Sequence, residues 1–139
     1  MRNKPNRNQE FNPINININP IQNNGENSLS FFLQEVKDSN ADKTFRYTVI
    51  NEGNQVQKLS FNTSQRYEYE LFSKEHGLVE RYSDGKMFLQ VLQDIMLAPK
   101  EKLTYDISFS SLEKGEYSLT VFLTARGLSH SKRTITFRV

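Results

Sequence analysis

Side chains able to do acid–base or nucleophilic chemistry are few and scattered in this sequence of 139 residues. Imidazole occurs twice, at His76 and His130. A serine or threonine nucleophile needs a base that is itself oriented by a third group. His76 precedes a glycine in a predicted hairpin turn, and His130 sits in the polar run Gly127-Leu128-Ser129-His130-Ser131. Both read as solvated loop residues rather than bases. Two isolated histidines also fall short of a zinc site, which takes three or four nitrogen or sulfur ligands. Cysteine is absent, which removes disulfides, thiolate metal sites and thiol nucleophiles together. Glu68 and Glu70 lie two apart on one predicted strand face. A glycosidase instead places its two carboxyls on opposite sides of the substrate, about 5–9 Å apart. Six well-separated glycines build no phosphate-cradling loop. The chain is therefore predicted to be no enzyme, with no cofactor and no metal.

Charge narrows the partners further. The net charge is +2, and the first 27 residues hold three basic and two acidic side chains, leaving fifteen and fourteen for the rest. No block of like charge forms, whereas a nucleic-acid binder shows a basic stripe. The six tyrosines and ten phenylalanines could stack on single-stranded bases only if exposed beside a basic groove. Most of them share the alternation of Leu, Ile and Val, which is the core-facing set. Arg2, Lys4 and Arg7 are not followed by an unbroken apolar stretch, as a secretory signal requires. No run reaches the roughly 18 apolar residues of a membrane span either. The expected location is the cytoplasm, with no nucleic-acid or membrane partner.

The elements that must position any site are strands. Residues 1–27 contain ten asparagines and three of the four prolines, a composition that buries too little apolar surface to offset the entropy of ordering. They are predicted to be a disordered or weakly ordered tail. The alternative is an edge strand carrying Ile14, Ile16 and Ile18 between Pro13 and Pro20. From Ser28 onward period-two rows dominate: Phe45, Tyr47, Val49; Leu59, Phe61; Tyr67, Tyr69, Leu71; Leu103, Tyr105, Ile107, Phe109; Tyr117, Leu119, Val121, Leu123; and Ile135, Phe137, Val139. Such rows are half-buried strands. Turn signals separate them at Asn51-Glu52-Gly53-Asn54, His76-Gly77, Asp84-Gly85, Pro99-Lys100 and Lys114-Gly115. With about seven strands, the spacing predicts an all-β, immunoglobulin-like antiparallel sandwich over 28–139. The exception is Met87 to Ile95, where Phe88, Val91, Leu92 and Ile95 stand at helical spacing. It is predicted to be one helical turn, or an irregular crossover, plugging one end of the sandwich.

An ordered set of short stretches carries a resemblance. It runs through Tyr47-Thr48-Val49-Ile50-Asn51-Glu52-Gly53, Val56-Gln57-Lys58-Leu59-Ser60-Phe61, Ser64-Gln65-Arg66-Tyr67-Glu68-Tyr69 and Tyr82-Ser83-Asp84-Gly85-Lys86-Met87-Phe88-Leu89-Gln90. It continues with Leu97-Ala98-Pro99-Lys100-Glu101 and Lys114-Gly115-Glu116-Tyr117. Over roughly Phe45 to Ala125 the chain resembles the BsuPI family of intracellular proteinase inhibitors, with Leu29 to Val36 as a first strand. It departs from the family by having Tyr82 and the region of Phe109 where tryptophans are frequent. It also has Pro99-Lys100 where a glycine commonly precedes the glutamate.

The resemblance implies direct binding to an intracellular serine protease of the subtilisin type. The candidate contact residues are Tyr82, Ser83, Asp84, Gly85, Lys86, Met96 and Leu97. Taken singly, Tyr82 reads more readily as packing over the sandwich end and Met96 and Leu97 as core, and the sequence does not say which loop is inserted. The rival expectation, from the fold alone, is a non-enzymatic interaction module that meets its partner at a sheet edge. Either way the protein is expected to be a monomer or a weak dimer.

Overall fold

The computed structural model of the chain describes residues 28–139. The expected tail over 1–27, with its Ile14, Ile16 and Ile18 alternation, lies outside the described residues. In chain order the strands are β1 (Leu29–Ser39), β2 (Asp42–Asn51), β3 (Gln57–Phe61), β4 (Tyr67–Ser73) and β5 (Gly77–Arg81). They are followed by β6 (Gln93–Leu97), β7 (Lys102–Phe109), β8 (Glu116–Leu123) and β9 (Arg133–Arg138). One turn of 3-10 helix, Ser129–Ser131, precedes β9.

Alternation decides which way each strand faces. Phe45, Tyr47 and Val49 are wholly buried, while Thr44, Arg46 and Thr48 between them are half-buried. Leu119, Val121 and Leu123 do the same on β8. Burying a side chain of this size contributes about 1.5–3 kcal/mol, so each row holds its strand in one register. Every pairing is antiparallel. One sheet runs β1-β2-β7, a second β5-β4-β8-β9, and β3 pairs with β6 in a separate ladder. The two larger sheets meet face to face, with Phe45 against Phe137 at 4.8 Å and Tyr69 against Phe109 at 5.4 Å. The result is the expected all-β antiparallel sandwich, compatible with the immunoglobulin-like class.

Two strands escape the sequence pattern. β5 is exposed along nearly its whole length, so no core-facing row marks it. β6 occupies the end of the segment where helical spacing suggests a turn of helix. No helix forms there. Ile95 pairs with Leu59 and Leu97 with Gln57, because β3 needs a ladder partner for its backbone and Leu97 is wholly buried by that pairing. The preceding residues, 86–92, are the irregular crossover. They do not plug the sandwich: Met87, Leu89, Val91 and Leu92 are all exposed.

The core has a titratable member. The Tyr47 hydroxyl donates to the Ser131 carbonyl at 2.6 Å, and burial pushes its pKa up to about 12. A phenol with a raised folded-state pKa stabilises the fold fully below its unfolded value of about 10. That contribution is lost as pH climbs through the folded value. Urea unfolding between pH 8 and 12 should therefore show flat stability to about pH 10 and a steep fall above it. Tyr47→Phe should make the fall shallower; an unchanged slope would mean the phenol does not titrate with unfolding.

Candidate functional site

Residues 82–92 link β5 to β6 across one end of the sandwich without regular structure. The loop is nonetheless held at its base. Arg81 donates from Nε (2.9 Å) and Nη2 (2.6 Å) to one oxygen of Glu70. Glu70 thereby raises the Arg81 pKa further above its high ordinary value. Glu68 Oε1 accepts the N–H groups of Tyr69 (3.0 Å) and Ser83 (3.1 Å). The Asp84 N–H donates to the Arg81 carbonyl and the Lys86 N–H to the Ser83 carbonyl, both at 3.1 Å. Gly85 takes φ +77°, a conformation that a Cβ makes costly, and so closes the turn. Both carboxylates of the Glu68, Glu70 pair are thus occupied in holding this turn.

Above the base lies an aromatic platform. The half-buried Tyr82 ring stacks on Tyr67 with centroids 4.6 Å apart, and Tyr67 lies 4.8 Å from Tyr105. Tyr69 meets Tyr82 at 5.4 Å and Phe88 meets it at 6.2 Å. The Lys86 ammonium stands 4.7 Å above the same Tyr82 ring, a cation–π contact. Burial, with Tyr82 and Glu80 as hydrogen-bond partners, pushes the Tyr67 and Tyr69 hydroxyls well above their usual range.

Farther along, the loop is fixed a second time. Ser64 donates its N–H to the Leu89 carbonyl at 2.9 Å, and Ser64 Oγ accepts the Leu89 N–H at 2.9 Å. The residues after Ser64 brace it. Gln65 Nε2 donates to the Tyr67 carbonyl at 2.9 Å. Arg66 donates to the Thr63 carbonyl at 2.9 Å and to the Gln93 side chain. The stretch Ser64 to Tyr67 therefore holds the two residues that flank Ser83 to Phe88, Leu89 through Ser64 and Tyr82 through Tyr67.

The platform and the Ser64 pin lift a row of apolar side chains into solvent. Met87 is 98% exposed, Leu92 74% and Leu89 69%. Phe88, between Met87 and Leu89, turns back onto the platform, as period-two geometry requires of an extended segment.

Of the residues expected to make contact, Tyr82 is the foundation, Ser83, Asp84 and Gly85 form the turn, and Lys86 covers Tyr82. Met96 on β6 is 58% exposed, but Leu97 is wholly buried and faces the core. Met87, Leu89 and Leu92, the exposed apolar residues of the loop, lie outside that set. Their clustered apolar pattern is the same for a core plug and an exposed loop, and what separates the two is the partner that Ser64 finds 25 residues on.

Elsewhere the reactive side chains have other work. His76 lies 3.5 Å from Glu75 in an exposed turn, and His130 packs edge-on against Phe31 at 5.4 Å. An open groove of about 630 Å³ runs over β4, β8 and β9, lined by Phe72, Tyr117 and Phe137 among others. Its carboxylate, Glu116, is ion-paired with Lys74 at 3.3 Å and with Arg138. Among the described residues no helix is long and apolar enough to cross a membrane.

Comparison with known proteins gives one family and a set of distant folds. No curated protein matches the chain. Among solved structures, a β-glucosidase from Erythrobacter marinus is 10% identical, over 80% of this chain and 15% of that one, with a TM-score of 0.47. A β-glucosidase from Kluyveromyces marxianus is 18% identical, over 79% and 14%, with a TM-score of 0.42. The alkylpurine DNA glycosylase AlkC of Pseudomonas fluorescens is 11% identical, over 80% and 30%, with a TM-score of 0.44. The chain spans less than a third of each of these proteins, and likenesses this weak carry no argument about activity. The sequence profile described as "BsuPI: Intracellular proteinase inhibitor" matches residues 32–128. That span contains both the pinned loop and the strands that support it, and it covers well over half of the chain: the protein belongs to the BsuPI family of intracellular proteinase inhibitors.

Proposed function

We propose that this protein is a non-enzymatic inhibitor of a subtilisin-like serine protease in the cytoplasm. It binds by presenting the 82–92 loop, with Tyr82 to Lys86 as the base and Met96 on the following strand as a further contact. The observation that carries this reading is the apolar loop held at both ends. A protease cleft takes an extended segment and seats a side chain in a pocket. A flexible peptide loses conformational entropy on entering it, about 0.5–1.5 kcal/mol for each side chain immobilised. Here the Asp84-Gly85 turn, the Tyr82 stack and the Ser64 pin order the loop before any partner arrives. Domain 28–139 acts as the binding unit, as a monomer or weak dimer.

The exposed edge strand β5, with Leu78 and Val79 outward beside Phe72, favours a second reading as a strand-pairing interaction module. A titration separates the two. A subtilisin-type protease is mixed with increasing amounts of the protein while a chromogenic peptide reports activity and a gel reports cleavage. Stoichiometric inhibition, with the chain intact or cut once between residues 82 and 92, is expected. Full protease activity at large excess of intact chain would leave the β5 edge as the better assignment.

A further inference from the structure

Four apolar side chains stand out most from this end of the molecule, and their backbones distinguish them. Leu89 has both its N–H and its carbonyl bonded to Ser64. Met96 lies within the β3–β6 ladder opposite Lys58. A segment that docks like a substrate must offer free main-chain groups to pair with the enzyme's strand. It must also place the carbonyl of its pocket residue among the oxyanion donors. Leu89 and Met96 are unsuited on that ground. Met87 forms no backbone hydrogen bond among the described residues and is the most exposed of the four at 98%. It is also braced on each side by its immediate neighbours. Lys86 is bonded through its N–H to Ser83 and lies over Tyr82. Phe88 packs on the same Tyr82 ring, and Leu89 follows with its double bond to Ser64. Leu92, the fourth, leads directly into β6 and has no such brace of side chains around it.

We propose that Met87 is the residue that fills the primary specificity pocket, and that the partner is a serine protease whose pocket is deep, apolar and uncharged. This rests on the inhibitor reading above. A thioether side chain is long, unbranched and adaptable, so it suits a pocket that takes large apolar groups and gains nothing from an acidic one. The braces also explain how the loop survives the enzyme. Attack of the protease serine oxygen on the Met87 carbonyl carbon forms an ester and breaks the Met87–Phe88 amide. The serine proton passes through the protease's own base to the Phe88 nitrogen, the leaving amine. That amine stays in place, because Phe88 rests on Tyr82 and Leu89 is tied to Ser64. It re-attacks the ester, returns the proton by the same route and restores the amide, and serine leaves.

A change of target tests this without depending on loss of function. Wild type, Met87→Lys and Leu92→Lys are each titrated against subtilisin, which has an apolar pocket, and trypsin, which has an acidic one. Met87→Lys is expected to weaken inhibition of subtilisin roughly a hundredfold or more and to acquire inhibition of trypsin. Leu92→Lys, in the same loop but outside the pocket, should weaken inhibition of subtilisin far less than Met87→Lys and gain no inhibition of trypsin. Any single cut should fall between Met87 and Phe88 by mass spectrometry. If Met87→Lys inhibits subtilisin as well as wild type does, the pocket assignment is wrong while the inhibitor reading stands. Wild type that inhibits neither enzyme would overturn both.

Discussion

Replacing Asn51 with alanine should destabilise the fold by about 3–5 kcal/mol, a large share of the 5–15 kcal/mol that holds a small domain together. Asn51 is wholly buried at the end of β2. Its Nδ2 donates to the carbonyls of Gln55 (2.7 Å) and Leu97 (3.0 Å), and its Oδ1 accepts the Gly53 N–H (2.9 Å). Its own N–H donates to Glu101 at 3.0 Å, and its carbonyl accepts from Lys100 at 2.7 Å. One side chain thus joins the β2–β3 turn to the β6–β7 turn. Alanine leaves the buried Leu97 carbonyl unsatisfied, at about 1–3 kcal/mol, and removes the two part-buried bonds to Gln55 and Gly53, at about 0.5–1.5 kcal/mol each. Gly53 leaves no slack nearby, because a Cβ there would meet the Ser28 Cβ at 2.8 Å. In urea the midpoint should fall with an unchanged slope. A loss below about 1 kcal/mol would mean that water replaces the amide.

Asn51 also shows how far a sequence can be read. Asn-Glu-Gly is legible as a turn because those residues act within three positions of one another. Its bond to Leu97 is not, since the two lie 46 positions apart and only the folded sheets bring them together. The strands divide in the same way. β2, β7 and β8 each carry a period-two apolar row, because one face of each is in the core. β5 carries none, since it packs edgewise on β4 with both faces open. In the candidate site, Asp84-Gly85 is visible as a turn because it needs positive φ. Met87 is not visible as its apex, since a run of Met, Phe, Leu, Val and Leu looks the same on either side of a protein surface. Burial there is decided by Tyr82, in the same loop, and by Ser64, in the loop between β3 and β4.

The second large effect is expected at Tyr82, because both braces of Met87 converge on its ring. Tyr82→Ala removes the stack on Tyr67, the contact with Phe88 and the seat of the Lys86 ammonium at once. The ring is half-buried rather than enclosed, so the stability loss should be about 2–4 kcal/mol, at the lower end for an aromatic truncated to alanine. The domain should remain folded, since Tyr82 packs only at the margin of a core whose Phe45, Leu71 and Leu119 are wholly buried. Inhibition should nevertheless weaken roughly a hundredfold, because the loop then has to be ordered by the protease rather than before it arrives. Tyr82→Phe keeps the ring and should stay within about threefold of wild type. Amide hydrogen exchange should rise at Lys86 and Leu89, whose N–H groups are bonded to Ser83 and Ser64, in Tyr82→Ala while strands β2 and β8 stay protected. Wild-type inhibition by a folded Tyr82→Ala protein would show that binding does not depend on a preordered loop. The weight would then move from the platform to the exposed side chains alone.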